Sequence, residues 1–210
     1  RDRVGQLWEV TQGNGVHRIL CGDSTDAEVV SRLMGPERAQ ACWTDPPYGV
    51  SYVGKTKDSL TIKNDKLKTS ELVDFLARCF RAATEHALAG GAAAYVAHPP
   101  GALRMAFYEA FRAVDWHFRQ GLVWAKDAMV LGHSDYHYMH EDVAYLRVPG
   151  GVGGRQGRGS NFGWYGDNAQ TSLFVVPRPK RSEEHPTMKP VDLIVPMVRN
   201  SVEPGGLVYE

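Results

Sequence analysis

Residues 41–49 read Ala41-Cys42-Trp43-Thr44-Asp45-Pro46-Pro47-Tyr48-Gly49. Two consecutive prolines cannot donate to a sheet ladder, so the run 41–44 is expected to be a strand that stops at Asp45. That leaves a carboxylate at the C-terminal edge of a strand, where open α/β sheets bind their ligands. Short apolar runs alternate with longer periodic segments on both sides of this stretch, the pattern of an α/β fold with a mostly parallel sheet. Upstream, residues 17–21 read as a second strand ending at the same kind of edge. Downstream, the spacing predicts a helix over 69–88, with Leu72, Phe75, Leu76, Cys79, Phe80, Ala83 and Ala87 on one face. Thr69 or Ser70 is its expected cap, Glu71 sits in its first turn, and Gly90-Gly91 is its expected stop. Residues 92–97 carry no polar alternation and suit a central strand covered on both faces. Pro99-Pro100 is expected to open a second helix bearing Leu103, Phe107, Phe111 and Val114. Further strands are expected at 122–124, 143–146, 173–176 and from 206. A last helix is expected over 190–200, with Pro190 at its start and Pro196 inside it.

The chain of 210 residues is long enough for one core, and we expect a single domain over 1–210. Lys and Arg total 24 against 24 for Asp and Glu, so no global field drives the protein onto a polyanion or a membrane. Charge is instead arranged locally. Within 147–181, Arg147, Arg155, Arg158, Arg178, Lys180 and Arg181 face the single acid Asp167, around the glycine-rich run 149–160. The run 49–68 is a second long loop, carrying Lys55, Lys57, Lys63, Lys66 and Lys68. No apolar stretch reaches the roughly 18 residues of a membrane span, and no secretory signal opens the chain. Cys21, Cys42 and Cys79 lack Cys-x-x-Cys spacing and read as buried thiols of a reducing compartment. Starting at Arg1 and stopping in an apolar run at Glu210, the chain reads as an excised piece.

Asp45 to Gly49 carries a definite chemistry. Asp45 is an ionic acceptor, the Pro46 carbonyl is a second acceptor fixed by the proline pair, and Tyr48 offers a flat ring. Gly49 permits close approach. Two acceptors and an aromatic face suit a planar substrate with an exocyclic amine, whose two N–H groups are held while the nitrogen lone pair stays free. A nucleobase amine in a flipped-out pocket meets that description. The alternative is an ordinary strand-to-loop turn with a proline stop.

These residues, with others in a fixed order, resemble the DNA amino-methyltransferases that act on adenine N6 or cytosine N4 with S-adenosylmethionine. Ile19-Leu20-Cys21-Gly22-Asp23-Ser24 precedes Asp45-Pro46-Pro47-Tyr48. The Gly90-Gly91 strand, Trp124-Ala125-Lys126 and Asp135-Tyr136-His137-Tyr138-Met139-His140-Glu141 follow it. His185-Pro186-Thr187-Met188-Lys189-Pro190 comes last. The order is similar to the circularly permuted β class, and the resemblance spans about His17 to Glu210. It implies a Rossmann-like methyltransferase fold: a mostly parallel twisted sheet with helices on both faces. In that class the glycine loop of the cofactor site follows the strand that starts here at Leu207-Val208-Tyr209-Glu210, so the resemblance implies a domain incomplete at its C-terminus. Gly13-Asn14-Gly15 is too short to be the upstream loop of the Asn-Pro-Pro-Tyr enzymes that methylate RNA or protein.

By resemblance, Asp45 and the Pro46 carbonyl accept from the target amine, Pro47 fixes the turn, and Tyr48 stacks on the base. Thr187 and Lys189 are candidates for the cofactor's carboxylate end, Asp23 for its ribose or adenine, and Glu210 for the position where the family carries an acid. Lys189 as a surface lysine at a helix start, and Asp23 as a strand-end turn, stay open. Lys55, Arg155, Arg158, Arg178, Lys180 and Arg181 are candidate contacts to double-stranded DNA, with 147–181 as the target-recognition segment. Phe162, Trp164 and Tyr165, with Asn161 and Gln170, are either base contacts or a plain surface cluster. His133, His137 and His140 lack zinc-helix spacing, and no metal is expected. The expected activity is methylation of adenine N6 rather than cytosine N4, in the cytoplasm of a bacterial or phage setting. A homodimer and a flanking domain lost from either end are further expectations. The alternatives are a non-catalytic DNA-binding remnant and a methyltransferase of RNA or protein amines.

Overall fold

The computed structural model describes residues 4–13, 15–49, 68–129, 131, 135–150, 163–179 and 188–210. Its elements are β1 (Leu7–Gln12), β2 (Gly15–Leu20), α1 (Ala27–Met34), β3 (Ala39–Thr44), α2 (Thr69–His86), β4 (Leu88–His98) and α3 (Arg104–Ala113). They continue with β5 (His117–Ala125), β6 (His140–Arg147), β7 (Leu173–Val175), α4 (Val191–Ser201) and β8 (Val208–Tyr209). Among the described residues, six strands form one sheet in the order β7-β5-β6-β4-β3-β8. β3 runs parallel to β4 and β8, and β5 runs parallel to β7, while β6 is antiparallel to both its neighbours. Five strands therefore point one way, as the apolar runs predict.

Period-two alternation divides the core between the two faces of this sheet. Cys42, Ala94, Val96, Ala144 and Leu146 face α1, α2 and α3. Ala41, Trp43, Ala93, Tyr95, Ala97, Leu122 and Trp124 face the other way, onto Leu193 and Met197 of α4. On the first face, Phe80 of α2 stacks on Trp116 with centroids 4.8 Å apart, and the indole Nε1 of Trp116 donates to Thr84 Oγ1 at 2.8 Å. Helices cover both faces, and none among the described residues is long and apolar enough to cross a membrane.

Several expectations shift. The strand read at 17–21 exists as β2, but it pairs with β1 as a separate antiparallel hairpin and does not join the sheet. The chain turns away after it because Asp26 caps α1, its side chain accepting from Glu28 N–H at 2.9 Å. The cap of α2 is Lys68, whose N–H donates to the Glu71 carboxylate at 2.9 Å, one residue before the expected Thr69. Pro99-Pro100 does not open α3; Gly101, at φ +90°, holds a turn until Arg104. Cys21 is exposed, so only Cys42 is a fully buried thiol, with Cys79 half-buried.

Gly90-Gly91 lies inside β4 rather than stopping the helix, which ends at His86. The reason is close packing of backbones: a Cβ on Gly90 would lie 2.6 Å from the Gly150 carbonyl oxygen. Gly90→Ala is therefore expected to destabilise the protein by about 1–3 kcal/mol, the usual cost of overpacking, because the atom it meets is backbone. Urea denaturation measures it.

Candidate active site at the carboxyl edge of the sheet

The proline pair ends β3 as its residue types require, and Asp45 emerges at the carboxyl edge with its side chain 27% exposed. Its Oδ2 accepts from Lys189 Nζ at 2.7 Å, a contact between residues 144 positions apart. Lys189 precedes α4 and is 7% exposed. The same Nζ lies 3.2 Å from Glu141 Oε2 and 5.2 Å from the centre of the Tyr48 ring. Glu141, at the start of β6, accepts from the Tyr48 hydroxyl at 3.1 Å through Oε2 and from Lys126 Nζ through Oε1. Lys126 follows β5 and is 5% exposed; its Nζ sits 4.7 Å above the Trp124 ring, whose Nε1 donates to Val176 O at 2.8 Å. Two carboxylates and two ammoniums thus form one charge-balanced cluster under Tyr48.

Burial pushes the Glu141 carboxyl up, but the charges of Lys189 and Lys126 outweigh it and hold the group below the usual carboxylate range. Burial first, then the charges of Asp45 and Glu141, push the Tyr48 phenol well above its ordinary value, so it stays neutral and donates. The ring of Tyr48 rests edge-on against Phe107, with centroids 6.0 Å apart, and Phe107 in turn meets His98 at 5.7 Å. His98, at the end of β4, is 1% exposed. Its Nδ1 donates to the Pro99 carbonyl at 3.1 Å, and its Nε2 has no hydrogen-bond partner among the described residues.

Burial lowers the His98 imidazole below its ordinary value of about 6.5, so it is neutral in the fold. Because the folded value lies below the unfolded one, the unfolded chain takes up the extra proton. Its contribution to stability is complete above about pH 6.5 and is lost as pH falls towards the folded value. Urea midpoints at pH 7.5 and pH 5.5 are expected to fall on acidification in the wild type, and to differ less in His98→Phe.

The expected site residues are only partly brought together. Asp45, Pro46, Pro47, Tyr48 and Lys189 share the edge. Lys189, read as a cofactor contact, joins the two carboxylates. Glu210 follows β8, which pairs with β3 through Ala41↔Val208 and Cys42↔Tyr209, and so reaches the same edge. Burial, and then the Glu210 charge, raise the Cys42 thiol to about 12. Asp23 Oδ1 accepts from the Thr25 N–H and hydroxyl at 2.9 and 2.8 Å, the geometry of a strand-end turn. Thr187, Lys55, Arg155, Arg158, Lys180, Arg181, His133, Asn161 and Phe162 lie outside the described residues.

Arg178 is exposed beyond β7, its N–H donating to Asp127 at 3.0 Å. Arg147, counted with the basic segment, is structural: its guanidinium donates to the carbonyls of Gly91 and Gly163 and to the Tyr145 hydroxyl. Gln170 is held by Asp167 and Asn200, and Trp164 packs towards Tyr145. Glu141 and Lys126 belong to segments that carry the family resemblance, but neither has a definite role in the site from sequence alone. The signal was present, since both sit at ends of strands that pair Trp124 with Glu141, but that register is not written in either segment.

No family model and no curated protein matches the chain. Among solved structures it is similar to M1.HpyAVI in complex with S-adenosylmethionine, with a TM-score of 0.55 and 14% identity over 89% of this chain and 78% of that one. It is likewise similar to M1.HpyAVI alone, with a TM-score of 0.54 and 13% identity over 89% of this chain and 76% of that one. At these identities the likeness is one of fold, and the chain shares the α/β, Rossmann-like architecture of these structures.

Proposed function

We propose that the protein is an S-adenosylmethionine-dependent DNA methyltransferase that modifies an exocyclic base amine, adenine N6 in preference to cytosine N4. The observation that carries this reading is the meeting of Asp45 and Lys189 at 2.7 Å, which unites the two most distinctive segments of the sequence at the ligand-binding edge of the sheet. The preference for adenine rests on the family resemblance, in which Asp at the first position of the motif leans towards adenine and the cytosine enzymes more often carry Ser. M1.HpyAVI, which shares the fold, has been solved with S-adenosylmethionine, and this supports the same cofactor here.

The exposed acid at this edge fits such a cofactor. Glu210, exposed just after β8 beside β3, is assigned to the position where the family carries an acid, Asp23 to the ribose or adenine, and Thr187 to the carboxylate end of the cofactor. When bound, the cofactor supplies an electrophilic methyl group on a sulfonium. Asp45 and the Pro46 carbonyl hold the two N–H groups of the target amine, which leaves the nitrogen lone pair free. Tyr48, fixed through its hydroxyl to Glu141, presents its ring to the flipped base. Asp45 receives the proton that the methylated nitrogen sheds. Rate enhancement here is positioning and fixed electrostatics. Lys55, Arg155, Arg158, Arg178, Lys180 and Arg181 are assigned to the phosphate backbone, with a homodimer and a flanking domain as further parts of the proposal.

Purified protein supplied with methyl-tritiated S-adenosylmethionine, and separately with unmethylated DNA, RNA and mixed protein, tests the substrate class. Label is expected in DNA. Label in RNA or protein with DNA silent would replace this reading.

A further inference from the structure

Lys189 occupies the position that a substrate amine needs. Its ammonium donates to Asp45 Oδ2 at 2.7 Å and lies 5.2 Å from the Tyr48 ring centre, so it presents N–H groups where the base amine would present them. An amine arriving at Asp45 competes with this ammonium. Yet an ammonium 7% exposed cannot simply lose its counter-ion, because breaking one half of a buried pair leaves an uncompensated charge. Glu141 Oε2 is already 3.2 Å from the same Nζ. Its other oxygen is engaged by Lys126, which fixes the carboxylate and leaves Oε2 to Lys189 and Tyr48.

We propose that Glu141 is the second seat of Lys189, a positioning residue that keeps the ammonium paired while Asp45 is given over to the target amine. This rests on the reading of Asp45 as the amine acceptor. Lys126 holds the seat in place, and Tyr48 links it to the ring that meets the base. The reduced proton affinity of Glu141 agrees with a carboxylate that stays ionised throughout.

Asp45→Asn imitates the moment at which Asp45 no longer holds the ammonium. In that background, Glu141→Gln and Lys189→Met are combined in a double-mutant cycle read by urea denaturation, which needs no methyl transfer. Coupling is expected to exceed a factor of about 5 in the unfolding constant. Additive effects would overturn the proposal. A second arm uses methyl transfer with Asp45 intact. Glu141→Gln is expected to lower both the melting temperature and kcat, kcat by about tenfold or more, with KM for DNA little changed. Glu141→Gln with Lys126→Met restores the charge balance, so the melting temperature should recover while kcat stays low. Recovery of kcat along with stability would mean that Glu141 only neutralises Lys126, and would overturn the proposal. Strong coupling in a protein whose wild type transfers no methyl group upholds the seat and counts against the methyltransferase reading alone.

Discussion

Asp45→Ala is expected to cut methyl transfer by about 100-fold or more, the scale seen when one preorganised polar group is removed from a reacting centre. The loss should fall on kcat, because in the proposed function Asp45 holds the amine at the reacting atom and makes no claim on the DNA backbone. DNA affinity should stay within about twofold, since phosphate contacts dominate it. The fold should survive, because Lys189 keeps Glu141 as a partner 3.2 Å away. Single-turnover transfer, set beside a DNA titration, separates the two effects. Transfer at the wild-type rate would remove Asp45 from the mechanism.

Phe107→Ala is expected to be the most destabilising single change near the site. Phe107 is 0% exposed and joins the helical layer to the edge, touching Tyr48 on one side and His98 on the other. Truncating a buried phenylalanine costs about 3–5 kcal/mol. At this chain length that is a fall of roughly 6–20 °C in melting temperature. Tyr48 would also lose the surface against which its edge rests, so kcat should drop in the protein that remains folded. Calorimetry and transfer assays on the same preparation check both. A change below about 1 kcal/mol would mean that the space refills from neighbours.

The central elements were legible because their residue types leave little choice. The alanine-rich run within β4 has no polar face to give to water, and the helical spacing from Leu72 to Ala87 allows one amphipathic arrangement. Asp45 could be placed at an edge from the proline pair alone. What stayed hidden was non-local. α1 is only eight residues long and buries just Val30 and Met34, too few for a periodicity to stand out. The two glycines at 90 and 91 look like a helix stop, and only the approach of Gly150 shows that they serve a strand. The hairpin partner of β2 could not be chosen, because β2 is exposed along most of its length and its pattern selects no neighbour.

The site divides along the same line. Asp45 and Tyr48 lie three positions apart in sequence, and their joint chemistry can be read from residue types. Lys189 could be named as a site residue, but its partner could not, because the contact to Asp45 spans 144 positions. Glu141 and Lys126 each carry an ordinary surface charge until the pairing of β5 with β6 places them side by side under Tyr48.

In the proposed function this edge transfers a methyl group to a base amine in DNA. The most direct measurement is nucleoside mass spectrometry of DNA from a methylation-free host expressing the protein, beside the same host expressing Asp45→Ala. N6-methyladenine, or N4-methylcytosine if the base preference is reversed, is expected with the wild type and neither with the variant. Neither modified base in DNA from cells that contain the folded wild-type protein would contradict it.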